Sequence, residues 1–184
     1  MIIDWELTGH GWARCRLSAA GGQEVSLALG YLTDALADLV AGAGGLYGPA
    51  REIRFFFDDE PAELRWVLRR SGGEDVEVTV YRFPDVGVSP DLPDSEGTVV
   101  WRSTQPRSVF AHAVLTAAEA VLAEHGEEGY RERWGRHDYP MALVQDLRRL
   151  HLQGAGDAGE AGEGAVTSTA LRRSQGRGGT AEPR

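Results

Sequence analysis

The sequence predicts an α+β domain: an antiparallel sheet of about six strands (N-terminal hairpin, helix, four-stranded meander) with two to three helices packed on one face. Three observations carry this expectation. Two-residue alternation of apolar and polar side chains fills much of residues 13–101, as strands with one buried face require. Short, turn-rich connections join those runs, and strands so close in sequence pair antiparallel because parallel neighbours need a long crossover. Helical periodicity dominates from Pro106 onward, and strands followed by helices is the order that lays helices over one sheet face.

The first run sets Ala13, Cys15 and Leu17 on one side and Trp12, Arg14 and Arg16 on the other. After Gly21-Gly22, Val25, Leu27 and Leu29 alternate with Glu24, Ser26 and Ala28, which completes a hairpin with one buried face. From Tyr31 the period lengthens: Leu32, Leu36, Leu39 and Val40 recur at helical spacing, Asp34 and Asp38 fall opposite, and Gly42, Gly44 and Gly45 are expected to end the helix. The meander begins with Ile53, Phe55 and Phe57, then Leu64, Trp66 and Leu68 beyond Asp58-Asp59-Glu60-Pro61. Val76, Val78 and Val80 follow Ser71-Gly72-Gly73, and Val99 and Trp101 follow a Pro- and Asp-rich loop. Pro106 suits a first helical turn, and the stripe Val109, Phe110, Ala113, Val114, Ala117 and Val121 runs to Gly126, read as a C-terminal stop. A short charged piece, Glu127 to Trp134, leads to Pro140 and a final helix carrying Met141, Val144, Leu147 and Leu150.

One domain is expected over residues 1–152. From Gln153 the chain turns to Gly, Ala, Glu, Ser and Thr, a composition that buries too little apolar surface to offset its ordering entropy, so residues 153–184 read as a disordered tail. The tail's four acids and four arginines cancel, so the whole net charge of -9 belongs to the domain. Such acidity disfavours a nucleic-acid partner, which needs local positive charge to release counterions, and an anionic membrane equally. All 19 basic residues are arginine, as the codon usage of a GC-rich genome produces without any special need for planar guanidinium groups. Cys15 is the only cysteine, so no intrachain disulfide or cysteine-rich zinc site exists, and its place on an apolar strand face reads as inert core. The N-terminal residues lack the basic and apolar regions of a signal peptide, and no eighteen apolar residues run together, so cytoplasmic residence is expected.

Reactive constellations are scarce. None of His10, His112, His125, His137 and His151 has the spacing that aims two imidazoles at one metal. The nearest set, His125, Glu127, Glu128, Glu132, His137 and Asp138, is also what one helix end and the next helix start favour electrostatically, so no metal or cofactor is expected. Asp58, Asp59, Glu60 and Glu63 have the makings of an acid–base pair, since neighbouring carboxylates push one another's pKa apart; at a turn between strands they are expected instead to be solvated and to offer a partner-binding patch. No GxSxG elbow appears and a Walker A motif lacks its lysine, so no catalytic residue is assigned. Trp12 shares its strand face with Arg14 and Arg16 and is expected on the open side of the sheet. Tyr130 and Trp134, four apart on a piece also carrying Arg131 and Arg133, fall on one helix face; aromatics beside arginines anchor interfaces, although a small docked helix has the same pattern. The candidate partner contacts are therefore Trp12, Asp58, Asp59, Glu60, Tyr130, Arg133 and Trp134.

The pieces Trp5-Glu6-Leu7-Thr8-Gly9-His10-Gly11-Trp12-Ala13, Tyr31-Leu32-Thr33-Asp34-Ala35-Leu36 and Glu127-Glu128-Gly129-Tyr130-Arg131-Glu132-Arg133-Trp134 together resemble a family of uncharacterised small acidic proteins from actinobacteria, over about residues 4–152. That family has no assigned activity, so the resemblance implies no catalytic residue. In size, acidity and layout the chain is also loosely similar to bacterial immunity proteins, which block a toxin by occupying its surface, a likeness of architecture that does not by itself imply function. The expected function is a non-enzymatic protein-binding module, immunity-like or accessory. One alternative is a small-ligand-binding protein or hydrolase using the Asp58–Glu63 carboxylates and a histidine brought near by folding. Another is a structural protein that self-associates, as a homodimer, along an edge strand or the open sheet face.

Overall fold

Alternation of buried and exposed side chains begins earlier than residue 13. Ile3, Trp5 and Leu7 are buried while Asp4 and Glu6 face outward, and in a computed structural model describing residues 1–135 and 137–154 this run is a strand that the sequence reading did not include. The fold is α+β, with seven strands in two antiparallel sheets among the described residues where about six in one sheet were expected. The first sheet is β1 (Ile2–Gly9), β2 (Trp12–Ser18) and β3 (Glu24–Gly30), in that order. The second is β4 (Glu52–Asp59), β5 (Ala62–Gly72), β6 (Asp75–Phe83) and β7 (Thr98–Pro106), also in chain order. The helices among the described residues are α1 (Ala35–Gly45), α2 (Arg107–Trp134) and α3, residues 141–154. Gln153 and Gly154 thus belong to α3, and the remainder of the expected tail lies outside the described residues.

One core joins the two sheets. Trp5 of β1 meets Phe57 of β4 edge-on, with centroids 6.1 Å apart, and Phe55 stacks on Trp66 at 5.7 Å. Such ring pairs contribute beyond their buried area because edge and face carry opposite partial charge. α2 lies chiefly on β1 and α1 on β4, so both helices cover the core side. The outward face of the first sheet is ionic: Glu6 accepts from Arg14 and from Arg16, each at 2.9 Å.

Three local features refine the sequence reading. Gly45 is the last residue of α1, but Gly42 and Gly44 lie within it, and Leu32 precedes the helix and is exposed. Gly42 is required for close approach, since a Cβ there would collide with the Phe55 ring. The Leu46 carbonyl at the end of α1 accepts from Arg70 and Arg107, cations placed where the helix dipole favours them. Gly126 stops the first helical run of α2 as expected: its φ of 65° is non-helical, and a second helical run continues from there to Trp134. Finally, β7 carries a bulge. Trp101 pairs with Val80 but Val99 with Tyr81, so Val100 is the extra residue and Val99 turns to the face opposite Trp101. Among the described residues, no helix is long and apolar enough to cross a membrane.

Candidate functional site

The strand period that turns Phe55, Phe57, Leu64 and Trp66 toward the core sends their neighbours to the other face of the second sheet. Cross-strand register there runs Phe56 to Arg65, Arg65 to Tyr81 and Tyr81 to Val99, one row over four strands. Such a face would be open, but residues 84–97 fold back over part of it. The Val86 N–H donates to the Pro61 carbonyl at 2.8 Å, and two 3₁₀ turns, Ser89–Asp91 and Asp94–Glu96, lie above β5. Val67, Tyr81 and Phe83 form a small second core beneath, and a Cβ at Gly97 would sit 2.7 Å from the Phe83 ring and 3.0 Å from the Tyr81 Cβ.

Arg65 fastens this roof. Its guanidinium donates to the Leu92 carbonyl at 2.8 Å and the Ser89 carbonyl at 2.6 Å, pairs with Glu63 at 2.8 Å and Asp94 at 3.3 Å, and lies 4.2 Å from the Phe83 ring centroid. The second Glu63 oxygen accepts from the Ser89 hydroxyl. Asp94 also takes a two-pronged contact from Arg54, at 2.7 and 2.8 Å, and these arginine hydrogen bonds hold its carboxyl below the usual carboxylate value. Glu52, bridging Arg54 and Arg69 at 2.5 Å each, is lowered for the same reason.

Between β4 and this roof runs a groove of about 600 Å³. Phe55, Phe56, Pro90, Leu92 and Pro93 supply its apolar walls, and Arg54, Glu63, Arg65 and Asp94 its charges. Phe56 is 44% exposed, although it is a large aromatic in the middle of a strand. The charged groups are already committed to one another, so the groove offers apolar contact between fixed ion pairs and no unengaged nucleophile or base among the charged groups that line it.

The residues singled out from sequence are placed very differently from one another. Tyr130 and Trp134 are fully buried, their rings packed together and Tyr130 also edge-on against Tyr139, so they are core and not contact surface. The sequence pattern held both readings; the decisive fact is that these aromatics are the only large apolar residues on the segment after Gly126. Arg133 is exposed, and its carbonyl accepts from the Gly11 N–H at 2.8 Å. Trp12 lies half-buried on the outward face of the first sheet. It pairs with Gly30, and Gly30 abuts Asp58, where a Cβ would meet Oδ2 at 2.7 Å.

The carboxylates at 58–63 do not form a uniformly solvated tip. Asp58 and Glu63 are only 3% and 2% exposed, while Glu60 is exposed and Asp59 pairs with Arg82 at 3.4 Å. Asp58 Oδ2 has no hydrogen-bond partner among the described residues. Burial, then the charges of Glu60 and Asp59, push its carboxyl above the ordinary value. A hydrolase built on these groups needs a histidine beside them, but the charges acting on Asp58 are acidic and Glu63 is engaged by Arg65 and Ser89. His137 meets a different carboxylate: its Nδ1 lies 3.6 Å from Asp34 and its Nε2 3.2 Å from the Tyr31 carbonyl, contacts that hold the start of α1 to the segment after α2. Among the described residues, no three His, Cys, Asp or Glu side chains gather as a metal site requires. Cys15 is fully buried and its thiol is pushed strongly up by desolvation.

No family model, curated protein or solved structure matches the chain. The groove residues Arg54, Phe56, Arg65, Leu92 and Asp94 were not singled out from sequence. A signal was present: if Ile53, Phe55 and Phe57 face the core, Phe56 must face away, and a large aromatic on the polar side of a strand is the anomaly that marks a contact surface.

Proposed function

We propose that this chain is a non-enzymatic protein-binding module, immunity-like or accessory in role, whose principal contact is the groove between β4 and residues 84–97. The observation that carries the reading is Phe56, a strand aromatic left 44% exposed beside a groove whose ions are all internally paired. An exposed aromatic backed by arginines held in place has the character of an interface anchor: large contact area at low entropic cost. Trp12, Glu60 and Arg133 remain accessible and extend the candidate surface beyond the groove. The test is photo-crosslinking of the full chain in lysate from its native cells, with the reactive group at position 56 or, as control, at the exposed position Leu152. A discrete protein adduct is expected from position 56 alone; identical products from both positions would refute the groove. Self-association is a second reading, supported by β7 standing last in its sheet with one edge unpaired by any strand among the described residues. Light scattering over a range of concentrations separates the two.

A further inference from the structure

The charge around the groove is far from even. Residues 58–63 hold four carboxylates and no base, and residues 84–97 hold four more and no base. Although their starts are 26 positions apart in sequence, the Val86–Pro61 backbone bond and the Ser89–Glu63 contact draw the two segments onto one end of the sheet. With Glu52 included, nine carboxylates face only Arg54, Arg65, Arg69 and Arg82. Those arginines are spent on Glu52, Asp59, Glu63 and Asp94. Glu60, Asp85, Asp91 and Glu96 are exposed and enter no ion pair among the described residues. Interleaved with them are exposed apolar groups: Phe56 at 44%, Val88 at 56% and Leu92 at 36%. Unpaired like charge of this density repels itself, and a partner of opposite charge relieves that repulsion on contact.

We infer that the occupant of this groove is a basic segment of another protein, carrying arginine or lysine on either side of an aliphatic or aromatic anchor that packs on Phe56 and Leu92. The inference rests on the groove being a protein-contact site and adds the chemistry of what it contacts. The apolar walls supply the contact area, and the unpaired rim carboxylates select the sign of the partner and speed its approach.

Three labelled peptides test it on the full chain: alternating arginine and leucine, serine and leucine, and glutamate and leucine. The arginine peptide is expected to bind, to shift the Phe56 and Leu92 resonances, and to lose about tenfold in affinity between about 50 and about 300 mM salt. Phe56→Ser, and a chain carrying Glu60→Arg, Asp91→Arg and Glu96→Arg together, are each expected to weaken it about tenfold. All four positions are exposed, and an unchanged melting midpoint establishes that each variant is folded. Equal binding of the serine peptide with no effect of charge reversal overturns the basic partner and leaves the groove as a contact site. Three peptides that leave Phe56 unmoved overturn both. A concentration-dependent dimer abolished by Phe56→Ser seats a second copy there and also overturns the basic partner.

Discussion

Asp58 shows how burial changes the meaning of an acidic side chain. Its carboxyl is raised above the ordinary value by desolvation and by Glu60 and Asp59, so the folded state binds its proton more tightly than the unfolded state does. Ionising it therefore costs stability, and that cost appears as pH rises from the unfolded value through the raised one. Asp58→Asn is expected to raise Tm by about 2–4 °C at neutral pH and to lose this advantage below the ordinary carboxylate range, as thermal melts across pH will show. At Tyr130 and Trp134 the expected outcomes diverge. Trp134→Ala costs about 3–5 kcal/mol because it empties a filled site. Tyr130→Phe removes only a buried hydroxyl that has no hydrogen-bond partner among the described residues and changes stability by less than about 1 kcal/mol. Denaturant midpoints of the two variants measure the difference. That these rings are core was legible in principle, since Glu127, Glu128, Arg131, Glu132 and Arg133 leave the segment no other large apolar group to bury.

At the scale of single elements, α1 sets helix propensity against packing. Gly42→Ala gains about 1 kcal/mol of propensity, but the new methyl meets a Phe55 ring already held between Phe57 and Trp66, and overpacking costs about 1–3 kcal/mol. The net expectation is destabilisation, read from urea unfolding, whereas Gly44→Ala, whose Cβ meets nothing closer than 4.0 Å, is expected to stabilise. Reading the three glycines as punctuation holds only for Gly45, where α1 ends, because a glycine that ends a helix and one that admits a ring look alike in sequence. The strands were more legible. Every run assigned from alternation is a strand, and β1 was passed over although Ile3, Trp5 and Leu7 alternate as clearly as Ala13, Cys15 and Leu17. What alternation cannot carry is a bulge: the extra residue at Val100 is the reason Val99 lies beyond Tyr81 and not beside Trp101 in the core.

For the molecule as a whole, the groove depends on a contact that no sequence period announces. Asp94 is drawn to Arg54 and Arg65 from 40 and 29 residues away, and through them it ties residues 84–97 to β4 and β5. Because its carboxyl is held below the ordinary value, its contribution is complete above the usual carboxylate range and is lost as pH falls through the depressed value. Asp94→Asn is expected to cost about 1–3 kcal/mol at neutral pH and to flatten the acid limb of the stability curve, as urea midpoints between about pH 6 and about pH 3 will show. The α+β class followed from local patterning, whereas the split into two sheets, with β3 beside β4 but unpaired to it, depends on distant pairings that periodicity does not encode. The break at Gly126 has its own meaning at this scale. It resets the phase of the spiral, so that inward positions restart at Tyr130 and Trp134 without counting from Val121. Spacing along the chain is therefore lenient at that joint and strict just past it: one residue added between the two aromatics would swing the indole about 100° outward and pull the Arg133 carbonyl off Gly11.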